Sequence, residues 1–389
     1  MRTYSRVYAQ IDLDAILHNM EQMRQSISRK TKIMGVIKAD GYGHGAIPIG
    51  RELEKLDVTW GYAVATVEEA EILYRNGLRK PILTLGACFP ENFFALADKR
   101  IRATVYSLRQ AQQMEEFAAK NGKQIIIHVK IDTGLSRLGF QVTKGAADEI
   151  AQIFHMPHIL MEGMFTHFAK ADARDKTMAN EQMDRFGQMK DMLLERGITV
   201  PMIHCSNSAA IIDMPKANMD VVRAGISLYG MWPSDEVNKE NINLAPALAL
   251  KSRIVFLKEL EAGRTISYGA TYETTKKQRI ATIPVGYGDG YPRSLSGKGY
   301  VLIHGMRAPI CGRICMDQFM ADVTHIPEAE EGDEVVLAGT DGSESISLEE
   351  LGELSGRFNY EFACDLGKRI PRVYVKGGRV VETKDYFGE

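Results

Sequence analysis

Ile33-Met-Gly-Val-Ile-Lys38-Ala-Asp-Gly41-Tyr42-Gly43-His-Gly45 is an apolar run that stops on a lysine and a glycine-rich turn. Before the lysine it is apolar on both faces, the pattern of a strand buried in a parallel sheet. Seven similar runs follow: Trp60–Val64, Pro81–Leu85, Arg102–Tyr106, Ile125–Ile131, Leu160–Phe165, Met202–Cys205 and Asp220–Ala224. Amphipathic stretches such as Thr66–Asn76 and Leu108–Lys120 lie between them. Eight strands alternating with helices predict an α/β fold, a (β/α)8 TIM-type barrel over residues 1–240.

Beyond about Asn243 the texture changes. Strand-like segments follow one another directly: Leu250–Leu257, Thr265–Tyr268, Arg279–Val285, Tyr300–His304, Ala308–Cys311, Gln318–Val323 and Glu334–Ala338. Residues 241–389 therefore read as a mainly antiparallel β domain. Ser347-Leu-Glu-Glu350 has the spacing of a capping box and predicts one helix within it. The polar, proline-containing stretch from Trp232 to Asn243 is the expected linker.

The 389 residues carry 48 Lys and Arg against 50 Asp and Glu, a net charge of −2, and 45% are hydrophobic. That balance offers no basic face to nucleic acid. No run of about 18 apolar residues is present to span a membrane. The five scattered cysteines make neither a disulfide framework nor a metal site, so the expectation is a reduced, cytoplasmic protein without metal.

Barrel chemistry belongs where strands end. Burial of Lys38 at such an end disfavours its ammonium, which suits an amine that condenses with a carbonyl or moves a proton. A lysine snorkelling beside a flexible turn gives the same spacing. His128 and Lys130 interrupt the run Ile125–Ile131, and Asp132-Thr-Gly-Leu-Ser-Arg137 follows it. Cations this close to a buried strand require an anionic partner, whether a substrate carboxylate, an acidic side chain or a carbamate on the lysine. His167 ends another strand. His204-Cys-Ser-Asn207-Ser208 and Val222-Arg223-Ala-Gly225-Ile226 follow the seventh and eighth strands, where barrels hold phosphate with hydroxyls and backbone N–H groups. Each feature alone is more often structural; five such strand ends together favour a site.

These motifs, in this order, closely resemble those of bacterial alanine racemases over roughly residues 6 to 380. The resemblance also covers Ser267-Tyr268-Gly-Ala-Thr-Tyr, Gly-Tyr287-Gly-Asp-Gly, Gly312-Arg-Ile-Cys-Met316-Asp-Gln and Asn359-Tyr360-Glu. It implies a pyridoxal 5'-phosphate (PLP) enzyme interconverting L- and D-alanine, with D-alanine destined for peptidoglycan. By the same resemblance Lys38 holds PLP and exchanges the Cα proton on one face. Tyr268, from the other subunit of a homodimer with shared active sites, serves the opposite face. Arg223 bonds the pyridine nitrogen with support from His167. Ser208, the Gly225 and Ile226 amides, Tyr42 and Tyr360 hold the phosphate, Asn207 also binds the cofactor, and Arg137 with the Met316 amide takes the substrate carboxylate. Lys130 carries a carbamate beside Arg137, and Tyr287 narrows the entrance.

The reaction gives the pattern chemical sense. Racemisation needs two bases on opposite faces of a planar carbanion, and the free pKa values of lysine and tyrosine are too high for the task. An arginine at the ring nitrogen keeps its proton and so limits electron withdrawal. PLP-barrel decarboxylases place a glutamate there, and a non-catalytic PLP-binding barrel lacks the second domain. Serine or broad-specificity racemases share most of these motifs, and the bulk of Tyr360 favours alanine.

Overall fold

The computed structural model describes residue 4 and residues 6–388. All eight expected barrel strands are present: Lys32–Val36, Thr59–Val64, Ile82–Thr84, Arg102–Val105, Ile125–Asp132, Ile159–Phe165, Met202–His204 and Val221–Ala224. They pair in parallel in chain order, and Val221–Ala224 returns to Lys32–Val36 with Arg223 opposite Met34. Between the seventh and eighth strands no ladder forms. Closure there rests on backbone bonds from Asp220 to Ile203 (3.2 Å) and from Arg223 to Ser206 (3.1 Å).

The strand Ile125–Asp132 is buried along its whole length. Ile125, Ile127, Val129 and Ile131 share one face and are 0% exposed, each contributing roughly 1.5–3 kcal/mol of apolar burial. The alternate face carries His128 and Lys130. The local pattern thus places two titratable groups together. Thr66 caps the helix Val67–Arg75 with a reciprocal capping box, and Ser107 caps Leu108–Asn121.

The remaining chain forms an eleven-stranded, mostly antiparallel sheet. Three local expectations change. The run Leu250–Leu257 is two strands, Leu248–Arg253 and Phe256–Leu260, because pairing switches from Glu334–Asp341 to Gln278–Ile283 between them. Thr265–Tyr268 contributes only Thr265–Ile266, and Tyr268 sits in a short 3-10 turn. Ser347 caps the helix Leu348–Ser355, accepting from the Glu350 amide at 3.0 Å, but Glu350 does not reach back; its carboxylate meets Tyr300 and Arg307. A second helix, Asn359–Cys364, carries Tyr360.

One element crosses the 240/241 division. Val7–Asp12 belongs to the large sheet, antiparallel to Leu248–Arg253 and parallel to Arg372–Lys376. Asp12 then caps Leu13–Gln25, accepting from the Asp14 and Ala15 amides. That helix packs against the turn Ile226–Tyr229 beneath the barrel mouth. Among the described residues, no helix is long and apolar enough to cross a membrane, and no group of three or more His, Cys, Asp or Glu is placed to hold a metal.

Candidate active site

A cavity of about 510 Å³ opens where the barrel strands end. Lys38, Tyr42, Lys130, Arg137, His167, Asn207, Ser208, Arg223, Gly225, Ile226 and Tyr360 all line it. Eleven expected residues, from five strand ends and the second domain, thus converge.

Lys38 begins a turn of unusual hand. Ala39, Asp40, Gly41 and Tyr42 have φ values of 50, 50, 64 and 51°. Left-handed backbone costs about 1–2 kcal/mol per non-glycine residue, so neighbouring groups must hold the turn. It turns the chain back so that the Lys38 amine lies 5.9 Å from the centre of the Tyr42 ring. Burial lowers the Lys38 pKa, and the Arg137 charge adds to the effect. The amine is thereby moved toward the free-base form that proton transfer requires.

Arg223 is 2% exposed and makes five hydrogen bonds, all through its two Nη atoms. They reach Nδ1 and the carbonyl of His204, the Thr166 and Cys205 carbonyls, and Nδ1 of His167 at 3.1 Å. None engages Nε, which leaves that donor for a ligand in the cavity. Burial brings the guanidinium down to about 10, still charged at neutral pH. Desolvation, joined by Arg223, Lys130 and Arg137, keeps His167 well below the usual imidazole range.

Behind Arg223 runs a buried chain that the sequence motifs did not reveal. His204 and His128 meet at 2.9 Å, and His128 Nε2 reaches Glu162 at 3.0 Å. Arg102 closes it with bonds of 2.9 and 3.0 Å to the same carboxylate. A Cβ on Gly163 would come within 2.5 Å of the His128 ring, so glycine is required there. Burial opposes ionisation of Glu162, yet the bonds from His128 and Arg102 hold its pKa at about 2. A lone glutamate inside an apolar strand is the signal that could have found it.

The anion cradle lies opposite. Ser208 Oγ accepts the Gly225 amide at 3.0 Å and the Ser227 amide at 3.2 Å, while the buried Ser227 hydroxyl has no partner. A Cβ on Gly225 would sit 3.4 Å from the Tyr42 hydroxyl and 3.5 Å from Ser208 Oγ, narrowing the cradle. Asn207 contributes by shape, because its Oδ1 caps the helix Ser208–Asp213 through the Ala210 amide. Free hydroxyls, backbone N–H groups and an unengaged guanidinium Nε form a donor set that fits the phosphate and ring nitrogen of a pyridoxal cofactor.

Lys130 is 5% exposed and bonds only to the Ile131 carbonyl. Desolvation, then the charges of Arg223 and Arg137, bring its pKa to about 7. The Asp132 carboxylate accepts the Gly134 and Ser136 amides, folding the loop that delivers Arg137. On the far wall Tyr360 stacks on Phe358, with ring centres 4.5 Å apart and planes 11° apart.

Tyr268, Met316 and Tyr287 lie elsewhere. Tyr268 and Met316 share a separate surface groove with Cys315 and Asp317, and the three residues are 72, 53 and 43% exposed. Amides of Tyr287 and Gly288 donate to Cys315 and Met316, joining the two loops. Like Lys38, Tyr268 sits amid left-handed backbone: Ser267, Gly269 and Ala270 have φ of 68, 74 and 49°. Within one chain, the Lys38 cavity and the Tyr268 groove are therefore separate surfaces.

Comparison with known proteins agrees with this geometry. Residues 11–233 match the family model for the alanine racemase N-terminal domain, and residues 247–374 that for the C-terminal domain. An alanine racemase from Clostridium perfringens (strain SM101) is 42% identical over 382 residues, 98% of each chain. One from Methanococcus maripaludis is 44% identical over 372 residues, 95% of this chain and 98% of the other. Among solved structures, alanine racemase from Clostridium difficile 630 superposes with a TM-score of 0.95 at 40% identity, covering 99% of this chain and 100% of that one. The Bacillus anthracis alanine racemase with bound L-Ala-P gives 0.93 at 32% identity over 99% of both.

Proposed function

The chain belongs to the alanine racemase family, and from that premise we propose that it interconverts L- and D-alanine with PLP, using Lys38 and Tyr268 as the two bases. The observation that carries this reading is one cavity that joins a lysine of lowered pKa to a buried guanidinium with a free Nε. Bound PLP supplies the electron withdrawal that acidifies the substrate Cα–H bond.

The protein's own groups direct that acidity. Ser208, Tyr42, Tyr360 and the Ile226 amide would hold the phosphate, joined by the Gly225 amide once its bond to Ser208 Oγ is displaced. Arg223 donates through Nε to the ring nitrogen without losing its proton, which limits electron withdrawal and disfavours other bond cleavages. Arg137 pairs with the substrate carboxylate, and a carbamate on Lys130 provides the anion that holds Arg137 in place. Lys38 removes or returns the Cα proton on its face.

Tyr268 of the partner subunit acts on the opposite face, with Met316 and Tyr287 arriving from the same surface. The exposure of all three supports this homodimeric arrangement. Mixing Lys38→Ala and Tyr268→Ala subunits tests it. Heterodimers retain one intact site and regain activity; none despite subunit exchange would remove the shared-site reading.

Phe358 stacks on Tyr360 and lines the cavity with it, and this bulky aromatic wall favours a methyl side chain over larger ones. Comparing kcat/KM for alanine, serine and lysine decides the substrate. Alanine should lead; a preference for lysine of about tenfold would overturn the assignment.

A further inference from the structure

The left-handed turn after Lys38 is held from a distance. Inside it, Gly41, Gly43 and Gly45 donate to the Ile37, Ala39 and Asp40 carbonyls at 3.0, 3.0 and 2.7 Å. From the barrel, Glu69 accepts the Ala39 amide at 2.7 Å. Most of the remaining restraints come from the C-terminal domain. Asp40 Oδ2 accepts both the Lys384 ammonium at 2.7 Å and the Tyr386 hydroxyl at 2.6 Å, while Oδ1 takes the Ala46 amide at 2.9 Å. Arg372 donates to the Gly43 carbonyl at 2.9 Å, and the Tyr386 ring lies 5.3 Å from that guanidinium. The glycines permit this close approach. A Cβ at Gly43 would lie 2.1 Å from the Ala363 carbonyl, and one at Gly45 would lie 1.8 Å from the Tyr374 hydroxyl.

Asp40 therefore has both carboxylate oxygens engaged, and two of its three partners lie near the far end of the chain. Strained backbone persists only where its surroundings over-determine it. Lys384 and Tyr386 hold the middle residue of the strained turn, whose ends carry Lys38 and Tyr42. We propose that Lys384 and Tyr386 form a latch on Asp40 and act as positioning residues for the Lys38 amine. The proposal rests on Lys38 being the reacting base. The latch touches neither substrate nor cofactor; it fixes the direction of the side chain that does.

The test uses full-length holoenzyme carrying Lys384→Met and Tyr386→Phe together, which removes both donors to Asp40 and keeps the aromatic ring over Arg372. Misaiming an amine by under an ångström should lower kcat about tenfold while KM for L-alanine stays within about twofold, since Arg137 is untouched. Amide exchange at Gly41, Gly43 and Gly45 should rise about tenfold as the turn opens more often. Lys384→Arg, which keeps a donor, should stay near the unaltered protein. Unchanged exchange overturns the latch, as does raised exchange with unchanged kcat or lost kcat with unchanged exchange. No racemisation by the unaltered protein would sink the functional reading, and the positioning role with it, while raised exchange in the double variant would show separately that Lys384 and Tyr386 hold the turn.

Discussion

The Arg223 guanidinium donates to Nδ1 of His204 across 2.8 Å. Arginine has no lone pair to offer, so Nδ1 is the acceptor and His204 carries its proton on Nε2. That proton faces Nδ1 of His128, whose own proton must then lie on Nε2 toward Glu162. One contact fixes both tautomers and orders five charged or polar groups from the cofactor cavity to Arg102. The predicted consequence concerns His204→Leu. It leaves a buried guanidinium donor unpaired, at about 1–3 kcal/mol, and loosens the guanidinium proposed to meet the ring nitrogen. The urea midpoint should fall and products of other bond cleavages should rise; an unchanged midpoint and product distribution would count against the chain.

Lys130 is predicted to depend on dissolved carbon dioxide. With its pKa near 7, the amine is largely neutral at pH 8 between two guanidiniums, the state that reacts to give a carbamate anion. Lys130→Ala should lower kcat/KM by about 10²-fold through a displaced Arg137, and acetate should restore part of it. Prolonged degassing at pH 6.5 should reduce wild-type activity, and bicarbonate at pH 8 should return it. Indifference to both treatments would exclude the carbamate.

Acid should destabilise the fold from well above the carboxylate range. His44 is brought to about 4, chiefly by burial, and His128, His167 and His204 are also lowered. Their folded pKa values lie below the unfolded one, so the unfolded chain binds protons that the native state does not. Stability is complete above about pH 6.5 and falls below it by roughly 1.4 kcal/mol per pH unit for each such histidine. Glu162 adds a second loss as pH falls from the usual carboxylate range toward about 2. Urea titrations at pH 7.5, 6 and 5 should show falling midpoints; a constant midpoint would refute buried neutral histidines.

Tyr268→Phe should impair one direction of proton exchange more than the other. Tyr268 lies in a groove separate from the Lys38 cavity, and as the second proposed base it would serve only one face of the substrate. Solvent-deuterium incorporation measured separately from L- and D-alanine reports each face. Equal losses from both enantiomers would assign Tyr268 a packing role.

Much of this was legible along the chain. Eight runs apolar on both faces specify a parallel barrel because burial and strand periodicity are local signals. The lysine ending Ile33–Ile37, and the cations after Ile125–Ile131, stand out because such strands rarely tolerate charge without a partner. The break at Ile254 and the incomplete capping box at Ser347 escaped because cross-strand partners decided them.

The sequence by itself determined the barrel, the second domain and the polar residues that end the barrel strands, since hydrophobic patterning and residue type act over a few positions. Only the tertiary structure decided which polar groups meet. His128 finds His204 across 76 positions, Asp40 finds Lys384 across 344, and Val7–Asp12 joins the sheet of the other domain. It also set Lys38 and Tyr268 in separate pockets of one chain. Such pairings arise when barrel closure and sheet register bring distant backbone together, and their directional bonds leave no periodic trace in the residues that form them.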